Sequence, residues 1–166
     1  MLMPHLLAAD LAATDSRDLR WMACHACGYL LERGDTRAAH DLARDLRQRW
    51  RVRLGDDNET VRSATHYLGW ALKDMGRYAE ARNLHQDILN RDRRIVGKND
   101  PNTLASAHNL AIDLRALGEV RAARDLDQDT LDRSRRVLGE DHPDTLRSAN
   151  NLAADLRELG EAGYDP

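Results

Sequence analysis

A chain of 166 residues leaves room for one ordinary domain or one short repeat array. Charged residues make up 32% and apolar types 42%, enough to bury a core, while the net charge of −3 is spread along the whole length and offers no basic field for a phosphate backbone. Arg or Asp recurs every few positions, so no stretch approaches the roughly 20 uncharged apolar residues that cross a bilayer, and two cysteines are too few for a disulfide-stapled secreted scaffold. The expected protein is therefore cytoplasmic, with neither a nucleic-acid nor a membrane partner.

Taken in chain order, apolar positions spaced by threes and fours predict seven helices, over residues 17–33, 36–53, 60–75, 78–95, 102–117, 120–137 and 144–159, with room for a short helix within residues 1–12. Leu104, Ala107, Leu110, Ala111, Leu114 and Leu117 mark one buried face, and Gly118 stops that helix. A second face runs through Val120, Ala123, Leu126, Leu131 and Val137, with Asp125, Asp127 and Asp129 early and Arg133, Arg135 and Arg136 late, the order that complements a helix dipole. Asp100-Pro101 suits a helix start, and His142-Pro143 repeats the device with a poorer cap.

The segment from Gly97 to Leu138 is followed by a partial copy from Gly139 to Glu161, an offset of 42 residues, and the stretch from Gly55 to Val96 keeps the same register. A degenerate copy comes before it, with Leu30, Gly34, Ala39, Leu42 and Leu54 standing where Leu72, Gly76, Ala81, Leu84 and Val96 do. The expected organisation is one array over residues 1–161, with units 13–54, 55–96 and 97–138 and a half unit 139–161, followed by a tail at 162–166. Sparse β-branched residues argue against propeller blades. Small residues recur where paired helices must touch: Gly69, Ala111 and Ala153 in the first helix of a unit, Ala39, Ala81 and Ala123 in the second.

With an Asn-Leu-Ala on the first helix, a Leu-Gly turn and a Leu-Gly-x-x-x-Pro junction, the chain resembles the 42-residue, kinesin light chain-like subclass of tetratricopeptide repeats over roughly residues 17 to 161. It is also similar, less closely, to the repeat regions of actinobacterial NB-ARC-type signalling ATPases, although no GxxxxGK[ST] phosphate loop is present. The resemblance implies an all-α, right-handed superhelical solenoid of antiparallel helix pairs. It also implies a non-enzymatic module that binds a protein or peptide ligand in its concave groove, without a cofactor.

The first helix of each unit lines that groove in the family, which makes its recurring polar residues the candidate site. The family's asparagine at the place of Asn109 and Asn151 holds a bound peptide's backbone, and a carboxamide can both donate and accept. Tyr67 takes that place in the preceding unit and His25 in the first. Lys73, Arg115 and Arg157 recur at one register, about two turns from His66, His108 and Asn150, and predict a basic ridge suited to an acidic ligand. Trp70 is the expected aromatic anchor, and Trp21 shares the groove register of the first unit.

Cys24-His25-Ala26-Cys27 has the spacing of a metal or redox pair, but Cys27 stands where Gly69, Ala111 and Ala153 do, and no second ligand pair completes a zinc site. No metal or catalytic residue is therefore assigned. After Gly160 a second helix for the last unit is not encoded, because Asp165 falls where Ala81 and Ala123 should be. Leu152, Leu156 and Leu159 are then expected to form an uncovered face, which a homodimer through the C-terminal end would bury.

Overall fold

The computed structural model describes residues 11–160. Among them, a 3-10 turn at Leu11–Ala13 precedes seven α-helices: α1 (Arg17–Glu32), α2 (Thr36–Leu54), α3 (Glu59–Asp74), α4 (Tyr78–Ile95), α5 (Pro101–Ala116), α6 (Val120–Leu138) and α7 (Pro143–Glu158). The short helix considered for residues 1–12 and the tail at 162–166 lie, but for the 3-10 turn, outside the described residues.

Helices α3, α5 and α7 each begin and end one residue earlier than the periodicity predicts. Their starts are set by side-chain caps one place upstream. Asn58 accepts from the Thr60 amide at 2.9 Å, Asp100 from Asn102 at 2.9 Å, and His142 Nδ1 from Asp144 at 3.1 Å, with Pro101 and Pro143 opening their helices where no amide donor is needed. The ends are set by glycine. Gly118, at φ +76°, donates to the Arg115 carbonyl while Glu119 donates to Leu114, and Gly76 and Arg77 repeat the pair on Lys73 and Leu72. This double closure requires a left-handed residue, which glycine adopts without a Cβ clash.

The chain folds as two compact units, one up to Leu84 and one from His85, with the boundary inside α4. In the first unit the core gathers Ala23, Cys24 and Cys27 of α1, Ala43, Leu46 and Trp50 of α2, and Val61, Ala64, Leu68 and Leu72 of α3. Arg53 fastens the 3-10 turn to this core by donating to the Ala12 carbonyl at 2.9 Å and to Asp15 at 2.6 Å. In the second unit Leu89, Ala107, Leu110, Leu114 and Ala123 form the core, with Leu126 against it. The small residues at the close-contact register are sealed in both units: Cys27, Ala39, Ala81, Ala111 and Ala123 have no exposed surface.

Polar groups are buried mainly in the second unit. His85 pairs with Asp113, Ser106 Oγ donates to Asp92 at 2.6 Å, and Thr103 Oγ1 donates to the Gly97 carbonyl at 2.7 Å. His85 and Asp113 occupy the same register positions as Asp127 and Asp155 one unit later and as Ala43 and Ala71 one unit earlier. All six are buried. The same seam is thus apolar, then histidine–carboxylate, then carboxylate–carboxylate along the chain, a variation that the repeat itself does not encode.

Candidate binding surface on the first helices

In the first unit, α1 and α3 lie side by side and their facing side chains form an aromatic cleft. Trp21, His25 and Tyr29 fall four residues apart on one stripe of α1, and the Trp21 and His25 rings lie 3.8 Å apart. From α3, Tyr67 meets Trp70 edge-on at 5.1 Å, and His66 stands 6.3 Å from the same indole. A cavity of about 520 Å³ lies between His25, Gly28, Tyr29, Leu31, Glu32, Tyr67 and Trp70. A smaller one of about 130 Å³ adjoins Trp21, Cys24 and His25. Four of the chain's seven aromatic residues thus converge on one interhelical surface.

Gly28 explains how the rings come so close. It sits inside α1, where glycine costs about 1 kcal/mol relative to alanine, and a Cβ there would lie 3.0 Å from Tyr67 Cε1. Its absence lets the phenol ring rest on the α1 backbone. In the repeat register Gly28 stands where Trp70 does one unit later, the signal by which the sequence could have revealed this cleft. Sequence reasoning reached Tyr67, Trp70 and Trp21 and missed Gly28, Tyr29 and Glu32.

The second unit arranges its candidate residues differently. Asn151 Nδ2 donates to His108 Nδ1 at 2.8 Å, joining α7 to α5. Burial, with the Arg147 and Arg115 charges nearby, pushes His108 down to about 4, so at neutral pH the ring accepts through Nδ1 and carries no charge. One amide hydrogen of Asn151 is therefore already committed. Asn109, half-buried, sits beside His108 on α5.

Arg115 departs from the basic ridge. Its side chain, 20% exposed, turns inward, with Nε 3.1 Å from Asp155 Oδ1 and Nη2 3.8 Å from Asp127 Oδ2. Two wholly buried carboxyls lie against each other there, and an inward guanidinium offsets their burial. Of the other two ridge residues, Lys73 lies 3.4 Å from Asp74 and Arg157 is exposed. Of the three, Arg157 alone is exposed.

Leu152 likewise departs from the expected open face. It has no exposed surface, because it repeats Leu110 and points back into its own unit's core, whereas Leu156 and Leu159 are partly buried. The exposed leucine of α7 is Leu146, at 52%, against 5% for its counterpart Leu104.

Cys24 and Cys27 are buried free thiols, pushed up to about 12 by desolvation, so neither is a ready thiolate. Among the described residues no three metal-ligating side chains converge, and no helix is long and apolar enough to cross a membrane.

The model of the tetratricopeptide repeat matches twice in tandem, at residues 61–102 and 103–144, just over half of the chain. The chain belongs to the tetratricopeptide repeat family. Its fold is the all-α helical-repeat class of that family, a general protein–protein interaction module. No curated protein matches this tetratricopeptide repeat chain in sequence. Among solved structures it is similar to a Podosopora anserina protein with nearly identical, kinesin light chain-type TPR-like repeats, at 21% identity and a TM-score of 0.82 over 89% of this chain and 70% of that one. It is also similar to BtubC (BKLC) from P. vanneervenii, at 15% identity and a TM-score of 0.80 over 96% of this chain and 64% of that one. At these identities the likeness concerns the fold.

Proposed function

We propose that the chain is a non-enzymatic interaction module that holds a peptide segment on the exposed face of its first helices, anchored in the cleft between α1 and α3. The observation that carries this reading is the convergence of Tyr29, Tyr67 and Trp70 on one cavity, with Trp21 on the smaller one adjoining it, because aromatic side chains in a concave site dominate peptide anchoring. His66 and Lys73 stand on α3 of the same unit and supply polar contacts there, while Asn109, His108 and Asn151 are the polar candidates on α5 and α7 of the second unit. An acidic ligand, which the ridge favoured, loses much of its support now that Arg115 is spent on Asp127 and Asp155. Arg157 remains as an exposed cation on α7.

A displayed library of random peptides screened against the full chain tests the reading. Enriched peptides are expected to lose binding to a Trp70→Ala, Tyr29→Ala variant whose helical circular dichroism is unchanged. No enrichment, or enrichment indifferent to those substitutions, would sink it.

The second reading is a structural or regulatory arm that self-associates through its C-terminal end or docks on a signalling ATPase domain. Its support is the exposure of Leu146 with half-buried Ala149 and Leu156, whose counterparts one repeat earlier, Ala107 and Leu114, pack in a core with Ala123 and Leu126 of α6. Light scattering over a concentration series, with Leu146→Glu, checks the self-associating form: a dimer dissolved by that substitution supports it, and a monomer throughout removes it. Leu152→Glu is expected to unfold the second unit instead, since it buries a carboxylate in the core.

A further inference from the structure

We propose that the cleft between α1 and α3 is a cation-accepting site that takes the arginine or lysine side chain of a bound peptide. This rests on the peptide-binding reading and specifies the chemistry of its anchor. The larger cavity has aromatic walls from Tyr29, Tyr67 and Trp70, and the carboxylate among its lining residues is Glu32. Glu32 has no ion-pair or hydrogen-bond partner among the described residues. Burial chiefly holds the Tyr67 phenol above its ordinary value, and the Glu32 charge adds the smallest share. Aromatic faces attract cations through their quadrupoles, and a carboxylate at the rim adds a directed contact that a guanidinium or ammonium can satisfy.

Two cations beside the cleft are already engaged. Arg17 donates to Glu59 at 2.9 Å on the rim of the smaller cavity. Arg33 lies over the Tyr29 ring, 5.6 Å from its centroid, and donates to its hydroxyl at 3.0 Å. The chain's own arginine thus demonstrates the contact on one aromatic wall, while Tyr67 and Trp70 face the cavity beside an unpaired carboxylate. A carboxylate-bearing ligand would meet Glu32 and find no uncommitted cation among the lining residues. Charge complementarity therefore selects a basic ligand for this unit.

Gly28 sets the depth of the site. With a Cβ at that place the Tyr67 ring would have to give by a few tenths of an ångström, since the contact would be 3.0 Å. The sequence bears a residue poorly suited to a helix interior at the one place that allows this packing.

The test uses the full chain and four short glycine–serine peptides that differ only at the centre: arginine, citrulline, glutamate or tryptophan. Binding is read from the tyrosine and tryptophan ring resonances by nuclear magnetic resonance. The arginine peptide is expected to bind about tenfold more tightly than its neutral isostere citrulline, and Glu32→Gln and Trp70→Ala each to remove most of that preference. Gly28→Ala, with helical circular dichroism retained, is expected to weaken the arginine peptide in step with a shift of the Tyr67 signals. Equal binding of arginine and citrulline, or tightest binding of the glutamate or tryptophan peptide at the same rings, would overturn the cation assignment and leave the peptide-binding reading standing. If none of the four moves the cleft resonances, the cation assignment fails, and the library screen decides separately whether peptides bind at all.

Discussion

The melting temperature is expected to fall as pH is raised from about 6.5 to 8, and Asp127→Asn should remove most of that fall. Asp127 and Asp155 meet in the second unit with no exposed surface, and burial together with the shared contact keeps a proton on the pair, pushing Asp127 up to about 8 from 3.8. Between those values the folded state binds more protons than the unfolded state, so stability is greatest on the acid side and declines as pH rises. His108 acts in the opposite direction. Its folded value is about 4 against 6.5, so its contribution is present above 6.5 and is lost as pH falls through 4. The two slopes offset each other between about 4 and 6.5, which leaves the acid pair to set the dependence above that range.

Arg115 provides the complementary arm of the experiment. Arg115→Met removes a cation within ion-pair reach of both carboxyls. At pH 8, where the pair must carry charge, the loss is expected to cost about 3–5 kcal/mol. Near pH 6, where a proton sits on the pair, the cost should be about 1 kcal/mol. Asp127→Asn should raise stability at pH 8 by about 1–2 kcal/mol, roughly 2–4 °C per kcal/mol. Thermal melts followed by circular dichroism at pH 6, 7 and 8 distinguish these outcomes. An Arg115→Met penalty that does not grow with pH would show that the carboxyls are not the groups Arg115 serves.

Trp50→Ala is the second large effect, expected to cost about 3–5 kcal/mol and to lower the melting temperature by about 10 °C. Trp50 is the largest wholly buried side chain, and it packs in the core shared by α1, α2 and α3. In the repeat register it stands where Asp92 and Ser134 do, so the first unit fills with an indole a place that later units give to polar side chains. Its Nε1 has no hydrogen-bond partner among the described residues. An unsatisfied buried donor costs about 1–3 kcal/mol, so Trp50→Phe, which keeps most of the apolar volume and discards the donor, is expected to change stability by less than about 1.5 kcal/mol. Denaturant titrations of both variants check this. A phenylalanine variant as unstable as the alanine variant would mean that the indole N–H is satisfied.

Much of the helical architecture was legible in the chain itself. Glycines at the ends of first helices and at unit junctions, capping residues at Asp100 and His142, and apolar spacings of three and four placed all seven helices to within two residues. These signals are local, acting within a turn or so of the residue that carries them. The 42-residue period likewise identified the repeat, because each unit must bury the same faces against its neighbours.

The binding surface was legible only in part. Register alone placed Tyr67 and Trp70 with Trp21 on first-helix faces, since the repeat fixes which residues share a face. It could not show that Gly28 lets Tyr67 lie against α1, because that depends on one missing Cβ across two helices. Nor could it show that Arg115 turns toward Asp127 and Asp155, or that Leu152 points inward while Leu146 is left uncovered. The sequence by itself determined the helices and their pairing into repeats, both of which follow from periodicity and backbone preference. Tertiary structure decided where each long side chain ends, because an arginine or an aromatic ring reaches across an interhelical gap to partners dozens of residues away, and burial selects the partner that neutralises or fills the space.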